Sequence, residues 1–174
     1  MIALHEGEIH LWRLGAVAGA ARTVCARYVD RPFAIGRSPL GKPYVSGGEV
    51  EISVSHTEGA TLVAVARRAV GIDIERVRPL PDLDALAAAS LGDGEARALE
   101  DLVDGDRVAS FYRFWVRKEA LLKARGCGLA VDPRAVDTTQ GVPGWEWIDV
   151  PLDAAFAVSV ATVEPRPRLR WMAP

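Results

Sequence analysis

The chain has 174 residues, with 21 Lys and Arg against 23 Asp and Glu and a formal net charge of −2. Apolar residues make up 49% and charged residues 25%, a soluble globular balance that excludes disorder, collagen and coiled coil as whole-chain descriptions. No global basic footprint points to nucleic acid, and no apolar run approaches the ~20 residues of a membrane helix.

In chain order, Glu8 to Leu14 is short and partly alternating, as a strand would be, and Val17 to Val29 sorts Ala, Arg and Cys onto two faces of a helix that the Pro32 region ends. The Leu14 to Ala21 stretch is only weakly apolar and follows Glu6 and Glu8, where a signal peptide would be basic; a cytoplasmic protein is expected. Arg37 to Pro43 reads as loop from its Gly and Pro content. Val50, Ile52 and Val54 alternate with Glu51, Ser53 and Ser55, and Thr61 to Ala66 is nearly all apolar, the pattern of a strand buried on both faces. After a turn at Arg67-Arg68-Ala69, Val70 to Glu75 forms another strand. Pro79 and Pro81 then break the chain.

Asp82 to Leu91 and Glu95 to Val103 carry Leu and Ala at helical spacing. The longest helix runs from about Asp106 to Arg125 and stops at Gly126 and Gly128. Ala135 to Thr139, Trp145 to Val150 and Phe156 to Val163 look like strands. The class is α+β, with one half over residues 1–69 and a second over 70–174. Cys25 and Cys127 are far apart in sequence and read as two buried thiols rather than a disulfide framework.

Three groups of residues carry candidate chemistry. Asp73 and Glu75 share one face of their strand, with Cα atoms roughly 6.5–7 Å apart. They suit either a solvated amphipathic edge or a pair of ligands to one hard cation. Phe111, Trp115, Glu119 and Lys123 form an i, i+4 stripe on the long helix. Glu119 either pairs with Lys123 or turns inward as a third carboxylate. From 107 to 125 there are six basic residues against one acid, which reads as a solvated face or a docking surface. Ser53-Val54-Ser55-His56-Thr57 could hold a phosphate or be structural, and the Gly41-Lys42-Pro43 turn offers a further cation. No nucleophile elbow, Walker A loop, dinucleotide fingerprint or zinc spacing is present.

Taken together, Gly41-Lys42-Pro43, Ile52 to Thr57, Val70 to Glu75 and Phe114 to Ala124, extended by Gly126, Gly128 and Leu129, resemble the 4′-phosphopantetheinyl transferases of the Sfp type. The resemblance spans about residues 33 to 130. It implies a pseudo-symmetric pair of similar α+β halves in one chain, the first of them shortened. It also implies transfer of the phosphopantetheine arm of coenzyme A to a serine of an apo acyl or peptidyl carrier protein, with release of adenosine 3′,5′-bisphosphate. Mg²⁺, with Mn²⁺ as a substitute, would sit on Asp73, Glu75 and Glu119. Asp73, Glu119 and Lys123 would be catalytic, with Glu119 as base. Lys42, Pro43, Ser55, His56, Lys118, Lys123 and Arg22 would hold coenzyme A. The basic 107–125 helix would steer an acidic carrier, with Leu80 and Leu83 adding contact. A monomer is expected. The alternative is a homologue that binds the carrier or coenzyme A without catalysis.

Overall fold

A computed structural model describes residues 1–15, 18–48 and 50–173, leaving aside the side chains of Asp104 and Leu129. β1 (Glu8–Leu14), β4 (Glu51–Thr57), β5 (Ala60–Ala66) and β9 (Arg168–Met172) make one sheet in the order β4-β5-β1-β9. β6 (Val70–Arg76), β7 (Glu146–Asp149) and β8 (Phe156–Thr162) make a second, ordered β6-β8-β7, and β2 (Ile35–Arg37) and β3 (Pro43–Val45) pair separately. Every pairing is antiparallel except β1 with β9.

The sheets meet through side chains that alternate onto one face of each strand. Ile9, Leu11, Leu62 and Ala64 from the first sheet pack on Ile72, Ile74, Val158 and Val160 from the second. The first sheet's other face buries Trp12, Ile52, Val63 and Val65 beneath α1 (Ala20–Cys25). β5 is therefore covered on both sides, as its unbroken apolar run requires. The second sheet's outer face carries α4 (Asp104–Arg125), whose Ala120, Leu121 and Ala124 pack near Ala161. α2 (Leu83–Ser90) and α3 (Asp93–Glu100) flank α4 through Leu83, Leu91, Leu99, Phe111 and Phe114. Among the described residues no helix is long and apolar enough to cross a membrane.

The two sheets are also stitched edge to edge. On β4, Ser53, Ser55 and Thr57 point away from Ile52 and present a row of hydroxyls to the free edge of β6. Their oxygens accept the backbone N–H groups of Ile72, Ile74 and Arg76 at 3.1, 3.4 and 3.3 Å. The polar half of the β4 alternation thus satisfies backbone donors that a neighbouring strand would otherwise pair.

Several elements differ from the sequence reading. The first helix is shorter than 17–29, spanning Ala20–Cys25, and Val17 lies outside the described residues. The Arg37–Pro43 loop is the tip of a hairpin whose arms are β2 and β3. Ala135–Thr139 is not a strand. Pro133–Ala135 forms a 3-10 turn, and the alternation beyond it arises because Val136 and Thr138 are buried on the side chains of Glu95 and Lys118. β9 has no counterpart in the sequence reading and returns to flank β1, so residues 168–172 extend the first half's sheet. Leu83 is mostly buried in the helical core and shows only a small part of its surface, in a hollow that it shares with Leu80. Cys25 is buried and its thiol is pushed up to about 11 by that burial, whereas Cys127 is only partly covered.

A buried polar chain ties β9, β1 and the segment after α1 together. Arg170 donates to Glu8 Oε1 at 3.0 Å, Glu8 Oε2 lies 3.2 Å from His10 Nε2, and His10 Nδ1 lies 2.9 Å from the Tyr28 hydroxyl, which also accepts from Trp12 Nε1 at 2.8 Å. Burial opposes ionisation of Glu8, but the His5 N–H, Arg170 and His10 outweigh it and hold the carboxyl at about 2. Burial pushes His10 below its ordinary value, against the pull of Glu8. Both folded values are depressed, so both contributions are present at neutral pH and are lost on acidification, His10's below about 6.5 and Glu8's below about 4.5. The urea midpoint should fall as the pH drops from 7 to about 2.5, and Glu8→Gln should flatten the part of that fall below about pH 4.5; an unchanged slope there in the variant would remove Glu8 as its source.

Candidate active site

The acidic face of β6 is set by a close approach. Gly71, Asp73 and Glu75 alternate onto the face that meets α4. A Cβ on Gly71 would lie 1.9 Å from the carbonyl oxygen of Ala120 and 2.5 Å from the amide nitrogen of Ala124. Both are helix backbone, so only glycine lets α4 lie this close to the strand. The spacing brings Glu119 and Lys123 alongside Asp73 and Glu75. Gly71→Ala should displace α4, lower stability by about 1–3 kcal/mol and depress any activity of the cleft; a variant with wild-type urea midpoint would show that the helix can yield.

The resulting cleft encloses about 1000 Å³, at the upper end of the range for small-molecule and cofactor sites. Asp73, Glu75, Trp115, Glu119 and Lys123 form one wall. Arg22, Arg37, Pro43, Ser55, His56 and Thr57 stand on the other sides. A smaller hollow of about 200 Å³ adjoins it beside Lys42, Gly126 and Gly128. The i, i+4 stripe holds as far as Trp115, Glu119 and Lys123, while Phe111, one turn back, is buried in the helical core.

Asp73 is the centre of the wall. It is only 3% exposed, and its Oδ1 accepts from Ser55 Oγ at 2.7 Å and from Lys123 Nζ at 2.6 Å. Its Oδ2 is buried with no partner among the described residues. Burial, and next the Asp73 charge, raise Glu75 above its ordinary value, with Lys123 and Arg78 pulling it back. Glu119 is raised by burial and then by Asp73, against Lys123. Three acids therefore repel one another at this end of the cleft with one ammonium between them as partial compensation, and an orphaned carboxylate oxygen has no donor among the described residues. A hard divalent cation, which favours oxygen ligands, fits that donor set. The carboxylates are not a ready-made cage, however: among the described residues no three His, Cys, Asp or Glu side chains are gathered closely enough to hold an ion alone. An ion here would draw much of its coordination from water or substrate oxygens, as Mg²⁺ does.

Three of the expected coenzyme A contacts are placed differently by the structure. Lys118 is fully buried and does not reach the cleft. Its ammonium spends its donors on Glu95, 2.5 Å away, and on the carbonyls of Pro133 and Val136. The Ser55 hydroxyl lines the cleft but is saturated by Asp73, Lys123 and the Ile74 N–H. Lys42 donates to Glu51 and to the Ala124 carbonyl, both at 2.9 Å, so it pins the end of α4 from the smaller hollow. His56 and Arg22 are exposed on the cleft, Arg22 stacking over Phe33. The basic run of α4 is largely neutralised. Arg107 pairs with Asp84, Arg117 with Asp149, Lys118 with Glu95 and Lys123 with Asp73. The sequence reading missed Thr61 and the residues 18–21 just ahead of Arg22 as cleft wall; residues 18–21 are Ala and Gly and carry no chemical signal, and Thr61 read as part of a buried strand.

A family model described as the 4′-phosphopantetheinyl transferase superfamily matches residues 69–162. The chain belongs to the 4′-phosphopantetheinyl transferase superfamily. The match holds Asp73, Glu75, Glu119 and Lys123, while the facing wall with Arg22, Pro43, Ser55 and His56 precedes it. Among individual relatives, the chain is 32% identical over 135 residues to 4′-phosphopantetheinyl transferase HetI of Nostoc sp., covering 72% of this chain and 56% of HetI. It is 36% identical over 101 residues to 4′-phosphopantetheinyl transferase AcpT of Salmonella typhimurium, covering 57% and 52%. It is 28% identical over 131 residues to a 4′-phosphopantetheinyl transferase of Bacillus subtilis, covering 73% and 57%. This superfamily member thus spans about half the length of the curated relatives it matches.

Proposed function

We propose that this chain is an Sfp-type transferase that moves the 4′-phosphopantetheine arm of coenzyme A onto a serine of an apo acyl or peptidyl carrier protein. The observation that supports it is the convergence of Asp73, Glu75, Glu119 and Lys123 on one cleft in a member of this superfamily. The serine oxygen forms a bond to the pyrophosphate phosphorus nearer the pantetheine. The bond from that phosphorus to the bridging oxygen breaks, and adenosine 3′,5′-bisphosphate leaves with the electron pair. The serine proton goes to Glu119, whose raised affinity for protons in this buried, acidic setting suits a general base. Lys123 stands beside Asp73 to meet phosphate oxygens as charge builds on the leaving group. Asp73 Oδ2, with Glu75 and Glu119 close by, would hold Mg²⁺ together with substrate oxygens. When bound, the ion offsets the pyrophosphate's charge and so lowers its repulsion of a nucleophile. Arg22, Arg37 and His56 supply further donors along the cleft for the phosphates of the nucleotide end.

The carrier would meet fewer free cations on α4 than the sequence implies. Of that run only Arg113 and Arg125 carry no ion pair among the described residues. The decisive experiment incubates the purified chain with coenzyme A, Mg²⁺ and a panel of apo carriers from fatty-acid, polyketide and peptide assembly, and weighs the carriers by mass spectrometry. Gain of the arm by at least one carrier is expected. Coenzyme A binding without transfer to any of them would replace this reading with that of a non-catalytic binding homologue.

A further inference from the structure

The hydroxyl row between the sheets has one member that does more than join them. Ser53 and Thr57 each accept one N–H of β6. Ser55 accepts the N–H of Ile74 and, in addition, lies 2.9 Å from Lys123 Nζ and 2.7 Å from Asp73 Oδ1. A hydroxyl has two lone pairs and one proton. Ile74 and Lys123 can only donate, so they take the lone pairs, and the proton has a single acceptor, Asp73 Oδ1. The direction of that bond is fixed by the partners' chemistry.

The ring so formed runs from the Asp73 carboxylate through Ser55 to the backbone of the next residue, Ile74. It fixes both the rotation of the side chain and the plane of the carboxylate. Lys123 alone would hold Oδ1 loosely, because its long stem is partly exposed. With two donors on Oδ1 from two different elements, Oδ2 is left as the buried oxygen without a partner.

We infer that Ser55 is a positioning residue: by holding Asp73 through Oδ1 against the β4–β6 joint, it presents Oδ2 to a divalent cation. The inference rests on the reading of Asp73 as a metal ligand. It gives Ser55 a role distinct from contact with coenzyme A, and from the joint-forming role that it shares with Ser53.

The test uses Mn²⁺ alone as the probe, titrated into the full chain with free Mn²⁺ read by electron paramagnetic resonance. Ser55→Ala should weaken Mn²⁺ binding roughly ten-fold or more, the usual cost of losing a partner that orients a ligand. Ser53→Ala removes the neighbouring rung, lowers the urea midpoint to a similar degree, and should leave Mn²⁺ affinity within about two-fold of wild type. Ser55→Thr keeps the hydroxyl and should restore most of the affinity. Equal Mn²⁺ affinity in Ser55→Ala and Ser53→Ala overturns the inference while leaving the metal reading intact. Failure of the wild-type chain to take up Mn²⁺ overturns both.

Discussion

Replacing Asp73 by Asn will cut transfer by about 10²–10³-fold, the scale seen when one preorganised electrostatic group is removed from an active site, while leaving the fold in place. The isosteric amide keeps an oxygen where Ser55 and Lys123 donate. It loses the negative charge and puts a donor in place of the unpartnered Oδ2. One unsatisfied buried atom replaces another, so stability changes little. Lys123, whose side chain is 30% exposed, can turn to solvent. A residue that costs function when changed but not stability is one whose burial serves chemistry rather than packing. The measurement is paired: initial transfer rate with an apo carrier, and urea midpoint, on the same preparation. Wild-type turnover in the variant would remove Asp73 from the mechanism. Equal losses of rate and folded fraction would make it a structural residue.

Much of this site was legible before any coordinates. Period-two spacing alone puts Asp73 and Glu75 on one face, and period-3.6 spacing aligns Trp115, Glu119 and Lys123. Gly71 and the Ser53-x-Ser55-x-Thr57 alternation sit in the quoted motifs, but their purposes were hidden. A glycine in a strand does not say what approaches it, and a row of hydroxyls does not say which donors it meets. Both are answered only by the contact of β6 with α4 and β4. β9 escaped because Arg168 and Arg170 alternate outward on an edge strand whose partner, β1, lies at the other end of the chain. The Ala135–Thr139 error has a similar origin. Val136 and Thr138 do alternate inward, but the segment bonds to side chains rather than to a neighbouring strand. The charge count on α4 misled most. It summed the helix's cations without the acids that Arg107, Arg117, Lys118 and Lys123 meet, which come from elsewhere in the sequence.

Lys118→Met is expected to cost about 3–5 kcal/mol of stability, the penalty for stranding one member of a buried ion pair, and to leave the turnover of folded molecules close to wild type. Lys118 and Glu95 are both fully enclosed, and neither has spare valence. Glu95 Oε1 accepts the N–H and hydroxyl of Thr138, at 3.1 and 2.7 Å, and Oε2 accepts the N–H of Gly92 at 3.0 Å as well as Lys118. Lys118 in turn bonds the carbonyls of Pro133 and Val136. The pair therefore replaces a strand as the backbone partner of residues 133–138 and fastens that segment and the start of α3 to α4. Methionine fills the stem's volume but leaves a carboxylate and two carbonyls without their donor. Glu95→Gln added to Lys118→Met should recover part of the loss, since the amide still accepts from Thr138 and no longer carries a buried charge. Urea midpoints of the single and double variants measure that coupling. A Lys118→Met chain with wild-type stability but a raised KM for coenzyme A would return this lysine to the cofactor and reverse the assignment.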